Sequence, residues 1–279
     1  MTAALSDQEF ALFRSLIEEA SGIAVSAEKR YLVENRLIKM VVENGCETYG
    51  QLYEKIKGNS NGLRAQMVDA MTTNETLWFR DEAPFLAWRD TVLPEMAKKG
   101  VGPIKIWSAA CSTGQEPYSI AMMAQEAAQK GLVSAAVPSR VSILATDISP
   151  RVLQLAKNGR YDPIAMSRGM FDPALRQRYF TEDGRVCILK PEILKMVQFK
   201  PLNLKDSFTL LGTFDMIWLR NVAIYFAPAF KADLFNRLAK ALNPGGYLVL
   251  GSAETLTGIT DAFEPVSFAK TSIYRVRQR

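Results

Sequence analysis

The sequence predicts an α/β protein: a doubly wound, mostly parallel sheet with helices on both faces, a small antiparallel β insert, and an all-helical unit at the N-terminus. Three observations carry that prediction. From Ile104 onward short apolar runs alternate with helical patterns. The first of these runs, Ile104-Lys-Ile-Trp-Ser-Ala-Ala-Cys-Ser-Thr-Gly114, passes through small residues into a helix opened by Glu116 and Pro117. Residues 1–70 carry no strand pattern, only apolar side chains at helical spacing.

In the helical unit, Ser6-Asp-Gln-Glu9 reads as a capping box, and Phe10, Phe13, Ile17 and Ala20 keep one face until Gly22. A second helix over 28–43 aligns Val33, Leu37, Met40 and Val41. Thr48-Tyr-Gly-Gln51 reads as a second capping box, opening a helix that stops at Gly58; a fourth starts near Asn61 and carries Leu63, Met67 and Met71. Helices this short are marginal alone, so the unit is expected to dock on the rest of the chain. Residues 71–81 are then a linker, with Asp81 placed to cap a helix containing Pro84, Phe85, Trp88, Val92 and Met96.

The rest of the chain, 71–279, is expected to place strands at 104–107, 141–146, 196–199, 214–219 and 247–250. Crossover helices fall at 116–130, 150–158 and 228–241, and strands at 264–268 and 272–276 close the sheet as an antiparallel pair. Residues 160 to about 200 break the alternation. Asp183-Gly184 between apolar flanks marks a hairpin in this β insert.

Composition removes several chemistries. The chain has no histidine, which excludes Ser–His and Cys–His nucleophile pairs, imidazole metal ligands and the usual general base near neutral pH. No metal site is expected. Cys46, Cys111 and Cys187 are odd in number and far apart, a pattern of reduced thiols in a cytoplasmic protein. The first twenty residues carry Asp7, Glu9, Arg14, Glu18 and Glu19, leaving no apolar core for a signal peptide, and no apolar run is long enough to span a membrane. Net charge is +5, and since residues 1–70 hold 8 basic and 10 acidic side chains, the excess lies in residues 71–279. Without a Lys/Arg run it points to an anionic partner other than nucleic acid.

The turn at Ser108–Gly114 has neither the G-x-G-x-x-G of a dinucleotide fold nor the G-x-x-x-x-G-K-[ST] of a triphosphate site. A nucleoside ligand without phosphates, S-adenosylmethionine, tolerates such a turn. Asp147, ending the strand Val141–Thr146, is placed to take both ribose hydroxyls. Glu116 can accept from a methionyl ammonium or simply favour the helix dipole. Leu242-Asn-Pro-Gly-Gly-Tyr-Leu-Val-Leu-Gly251 is a helix-to-strand corner common in S-adenosylmethionine-dependent methyltransferases, although a plain helix stop explains it too. Asn203 follows the third sheet strand, where an adenine amino group would be read, or is an ordinary turn residue. A buried strand ends in Arg220-Asn221, with Tyr225 following, and polar groups at a strand's carboxyl end line the ligand crevice.

Met71–Asp81, Trp107–Ile120, Ala145–Ser149, Arg220–Phe226 and Pro244–Gly251 together resemble the chemotaxis receptor glutamate O-methyltransferases, in order and through nearly the whole chain. The resemblance implies a seven-stranded S-adenosylmethionine methyltransferase sheet. It implies cofactor contacts from Asn74, Thr76, Arg80, Glu116, Asp147, Asn203, Leu204, Arg220 and Asn221, with Arg80 and Tyr225 nearest the transferred methyl and S-adenosylhomocysteine as the released product. It also implies partners: the cytoplasmic helical domains of methyl-accepting chemotaxis receptors, met by a monomer that neither enters the membrane nor binds nucleic acid. Gln115, Trp218-Leu219 and Gly251-Ser-Ala-Glu254, the last in a variable turn, depart mildly from the family pattern. Some members hold a receptor C-terminal peptide through the β insert; here Thr181–Gly184 is short, which points away from such a tether.

A glutamate substrate fits a protein without histidine, because a carboxylate with a reference pKa near 4.3 is already an anion at neutral pH and needs no base. For receptor docking, Lys29, Arg36 and Lys39 fall within an arc of roughly 80° on a helix turning about 100° per residue; a solvated charged face is the plainer reading of that pattern. The competing readings are a methyltransferase for a small molecule or another protein, which would not need the helical unit, and a non-catalytic scaffold that binds the cofactor, which would not need Arg80 and Tyr225.

Overall fold

The structure, a computed structural model, describes residues 4–58, 62–170, 172–268 and 270–277. Four helices come first: α1 (Asp7–Ser21), α2 (Arg30–Glu43), α3 (Tyr49–Lys57) and α4 (Leu63–Met71). The first capping box forms in full, Ser6 Oγ accepting from Glu9 N at 3.2 Å and Glu9 Oε2 from Ser6 N at 2.8 Å. The second forms by half: Thr48 accepts from Gln51 N, but the Gln51 carboxamide accepts from Glu47 N. The chain enters α2 through a 3-10 turn over Ala27–Lys29. Lys29 therefore lies in that turn, directly before the helix that carries Arg36 and Lys39. Asn61 lies outside the described residues. Phe13, Ile17, Val33, Leu37, Leu52 and Met67 meet in one fully buried core, whose apolar area removed from water stabilises the four helices jointly.

Past the linker come α5 (Ala83–Ala87), a π-helical turn (Trp88–Val92) and α6 (Leu93–Lys98). Phe85, Trp88 and Val92 are fully buried as the spacing predicts. Asp81 does not cap α5. Glu82 holds the N-cap position without a side-chain bond, while Asp81 is drawn away by an ion pair with Arg220.

The remainder runs β1 (Ile104–Ala109), α7 (Gln115–Gln129), β2 (Val141–Asp147) and α8 (Pro150–Asn158). The insert follows as β3 (Arg160–Tyr161), α9 (Pro163–Met166), α10 (Pro173–Tyr179), β4 (Phe180–Asp183), β5 (Val186–Leu189) and α11 (Pro191–Leu194). Then come β6 (Val197–Pro201), β7 (Phe214–Leu219), α12 (Pro228–Ala241), β8 (Leu242–Val249), β9 (Phe263–Phe268) and β10 (Thr271–Val276). The insert sheet, β3-β5-β4, is antiparallel and ends at α11, so the stretch up to residue 200 includes the start of the main sheet's β6.

The main sheet has seven strands in the order β6-β2-β1-β7-β8-β10-β9, all neighbours parallel except β10, which is antiparallel to β8 and β9. β8 starts five residues before the expected 247. Phe214 pairs with Leu242 and Met216 with Tyr247, so the Asn243–Gly246 corner bulges out of the strand instead of preceding it. Strand order reverses between β1 and β7, and that reversal opens a crevice at the carboxyl ends. Register sets its height: Ala109 of β1 pairs with both Thr146 of β2 and Leu219 of β7. Asp147 and Arg220, each one residue further on, therefore emerge level with each other on either side of the β1–α7 turn.

Candidate cofactor and active site

A cleft of about 1040 Å³, its open mouth included, lies over these strand ends. Its walls come from the β1–α7 turn, the ends of β2 and β7, the segment after β6, the linker 71–80, and Ser21 and Ile23 of the helical unit. Asn74, Thr76, Arg80, Glu116, Asp147, Asn203, Leu204, Arg220, Asn221 and Tyr225 all face it. The volume and mixed polarity suit a nucleoside-sized ligand.

On the β2 side the geometry is made by backbone. The Asp147 carboxylate accepts from Ser112 N at 2.8 Å through Oδ2 and from Ser149 N at 3.0 Å through Oδ1. Burial pushes its pKa up, and those amides pull part of the way back. The turn that supplies Ser112 is tight. Gly114 sits at φ +92°, and a Cβ there would lie 2.9 Å from Ala156 Cβ, so only glycine fits. Ser112 Oγ also donates to Asn74 O at 2.7 Å, tying the turn to the linker.

The β7 side is made by charge. Arg220, with 2% of its side chain exposed, donates to Asp81 Oδ2 and Arg80 O, each at 2.7 Å, and reaches Glu116 Oε2 at 3.4 Å. Its guanidinium lies over the rings of Phe85 and Trp218. Glu116 also accepts from Ser108 Oγ at 2.7 Å; burial raises its pKa, and Arg220 and Ser108 oppose the rise. A largely buried carboxylate on the first turn of α7 is thus kept close to one cation, with room in the cleft for another.

Strain collects at the same place. Among the described residues, positive φ at non-glycine positions occurs at Phe79, Asp81, Glu82, Ala110, Ser112 and Asn221: the linker, the β1–α7 turn and the end of β7. The linker is braced from both sides. Arg36 of α2 donates to Met71 O (2.7 Å), Thr72 O (3.1 Å) and Thr73 Oγ1 (3.0 Å). Arg36 is therefore a linker clamp and not part of a free docking face. From the other side, Trp78 packs edge-on against Tyr161 and Phe180 of the β insert, and Arg168 pairs with Glu75.

Against this geometry stand the comparisons with known proteins. The family model described as "CheR methyltransferase, SAM binding domain" matches residues 74–272, and "CheR methyltransferase, all-alpha domain" matches 8–72. The chain belongs to the CheR methyltransferase family. It is similar to chemotaxis protein methyltransferase 1 of Vibrio cholerae, 47% identical over 99% of this chain and 100% of the relative. Chemotaxis protein methyltransferase 1 of Pseudomonas aeruginosa is 44% identical over the same shares, and the chemotaxis protein methyltransferase of Escherichia coli is 32% identical over 93% of this chain and 88% of the relative. As a CheR-type protein it is an S-adenosylmethionine-dependent methyltransferase. Its cleft fits that ligand chemically, with a carboxylate on either side of the β1–α7 turn, Asp147 buried and Glu116 largely so, and the apolar side chains of Ile148, Leu202, Leu204 and Phe226 in its lining to meet the flat faces of a base.

Several residues have duties that their sequence positions did not reveal. The Asn203 carboxamide is oriented by two bonds: Nδ2 donates to Ala20 O at 2.7 Å and Oδ1 accepts from Lys205 N at 3.0 Å, which leaves one lone pair of Oδ1 for a further donor. Lys205 Nζ donates to Glu18 O and Glu19 O, so the catalytic part caps the carboxyl end of α1, whose last turn has no basic residue of its own. Tyr225 is fixed through its backbone, its carbonyl accepting from Ala24 N at 2.8 Å beside the Ile23–Phe226 bridge. Asp81 and Glu254, absent from the sequence-derived set, hold Arg220 and Asn221. Asp81 stood in the recognised linker; Glu254, in the supposed variable turn, gave no local signal.

Proposed function

We propose that this chain transfers the methyl group of S-adenosylmethionine to glutamate side chains on the cytoplasmic helices of methyl-accepting chemotaxis receptors, giving methyl esters. The observation that carries the reading is the linker: a segment joined to the helical unit through Arg36 forms one wall of the cleft that holds Asp147 and Glu116. A surface that touches a protein substrate is thereby continuous with the reaction centre.

In this reading Asp147 takes the ribose hydroxyls and Glu116 the methionyl ammonium, while Asn221 and Leu204 border the adenosyl group. When bound, S-adenosylmethionine supplies an electrophilic methyl on a sulfonium centre. The receptor carboxylate is already ionised, which is why no histidine is required. What the protein adds is alignment and exclusion of water, since water stabilises the separated anion and cation more than the charge-dispersed transition state. Arg80 orients the incoming carboxylate or closes the site over it, and Tyr225 shapes the methyl pocket. Asp81 and the Arg80 carbonyl, both bound by Arg220, set the position of Arg80 by its backbone.

The enzyme acts as a monomer in the cytoplasm, without metal and without nucleic acid. Lys29 and exposed Lys39 remain the basic side chains at α2 that meet the acidic receptor helices. Reversing both charges should raise the receptor KM and leave affinity for S-adenosylhomocysteine unchanged; an unaltered receptor KM removes this docking face. The function itself is tested by tritium transfer from labelled S-adenosylmethionine to receptor-containing membranes. Label released by mild alkali is the expected result, because carboxyl methyl esters hydrolyse there. Label that survives alkali would place the methyl on nitrogen and overturn the proposal.

A further inference from the structure

We propose that Glu254 is a positioning residue for the cofactor cleft, acting through Asn221. The proposal rests on the reading that Asn221 borders the adenosyl group. Asn221 is the second residue past β7 and sits at φ +59°, a left-handed conformation that needs support in a residue with a side chain. The support comes from the loop after β8. Glu254 Oε2 accepts from Asn221 N at 2.6 Å and from Gly251 N at 2.9 Å. One oxygen thus staples the carboxyl ends of two adjacent strand segments, satisfying amides left over where the parallel ladder stops.

The fit around this staple is close. A Cβ on Gly251 would lie 2.6 Å from Asn221 Nδ2 and 2.9 Å from Glu254 Oε2, so the Asn221 carboxamide rests on the bare backbone of Gly251. The loop returns on itself through Glu254 N to Gly251 O at 2.9 Å, and Leu256 anchors it in the core below the β7–β8 edge. Glu254 Oε1 is buried and has no partner among the described residues. The hydrogen bonds are therefore carried by a single oxygen, which a glutamine carboxamide also supplies, whereas the shorter or absent side chains of aspartate and alanine do not.

These features dictate a pattern among variants. Affinity for S-adenosylhomocysteine, measured by calorimetry on the full chain, should fall about tenfold in Glu254→Ala and stay within about threefold of wild type in Glu254→Gln. The KM for S-adenosylmethionine should rise with the loss of affinity, more than kcat falls. In an Asn221→Ala background, Glu254→Ala should add about twofold or less, because the backbone bond remains but the carboxamide that it aims at the cleft is gone. Gly251→Ala, which pushes on the Asn221 carboxamide from below, gives an independent reading if Glu254→Ala does not fold, and should also weaken binding about tenfold.

Wild-type affinity in folded Glu254→Ala overturns the proposal, as does a loss in Glu254→Gln equal to that in Glu254→Ala, or wild-type affinity in Gly251→Ala. Full additivity with Asn221→Ala overturns it too. Failure of the underlying cleft reading looks different: wild type would not bind S-adenosylhomocysteine, or Asp147→Ala would bind it as well as wild type.

Discussion

On the β2 side of the cleft Asp147 is held by the backbone amides of Ser112 and Ser149, whereas on the β7 side Arg220 and Asn221 are held by the side chains of Glu116, Asp81 and Glu254. Backbone amides are present whatever the side chain, so the first arrangement follows from a strand, a tight turn and one acidic residue. The second requires particular charges brought together from the linker, from α7 and from the loop after β8. In the proposed function this difference divides the work: the β2 side is read as holding the cofactor by fixed geometry, and the β7 side as joining the cofactor to the linker through an ion-pair network that substitution can uncouple.

The largest expected effect follows from breaking the charge-built side. Arg220→Met leaves Glu116 and Asp81 without their cation and should cost about 3–5 kcal/mol of stability, read by chemical denaturation. A cost near that of a surface pair, below about 1 kcal/mol, would mean the network is incidental.

The two sides also differ in pH response. Burial holds Glu116 and Asp147 above their ordinary carboxylate values, 4.5 and 3.8. Each contributes stability to the unliganded fold that is full below the ordinary value and lost as pH rises through the raised one. In the proposed reading ligand binding runs the opposite way, because an ammonium at Glu116 and ribose hydroxyls at Asp147 are best met by ionised carboxylates. Affinity for S-adenosylhomocysteine should fall on acidification, with its inflection above pH 4.5, and Glu116→Gln should flatten that acid limb. An inflection that Glu116→Gln leaves unmoved would assign it to another group.

These contrasts also explain what was legible in the sequence. The sheet, its crossover helices and the Asp147 position rest on local signals: apolar runs, small residues before Gly114, and an acidic residue at a strand end. The boundaries that moved did so where a tertiary partner intervened. Asp81 left its capping position for Arg220, Asn203 turned its carboxamide to the end of α1, and Arg36 turned from solvent to the linker. Glu254 was unreadable because its partners, Asn221 and Gly251, are joined only once β7 and β8 lie side by side.

The smallest effect is expected at the junction of the helical unit with the catalytic part. Lys205 is exposed, and Lys205→Ala should lower stability by only about 0.5–1 kcal/mol through loss of the cap on α1, seen as a small drop in Tm. A change several times larger would show that this junction carries as much of the fold as the Arg220 network.

The division of labour between the two sides is tested most directly by measuring S-adenosylhomocysteine affinity and receptor methylation rate side by side in Asp147→Ala and Arg80→Ala. Asp147→Ala should lose affinity more than tenfold, and Arg80→Ala should lose turnover more than tenfold with a smaller loss of affinity and an intact fold. Equal losses of both quantities in both variants, or unchanged turnover in Arg80→Ala, would contradict the account.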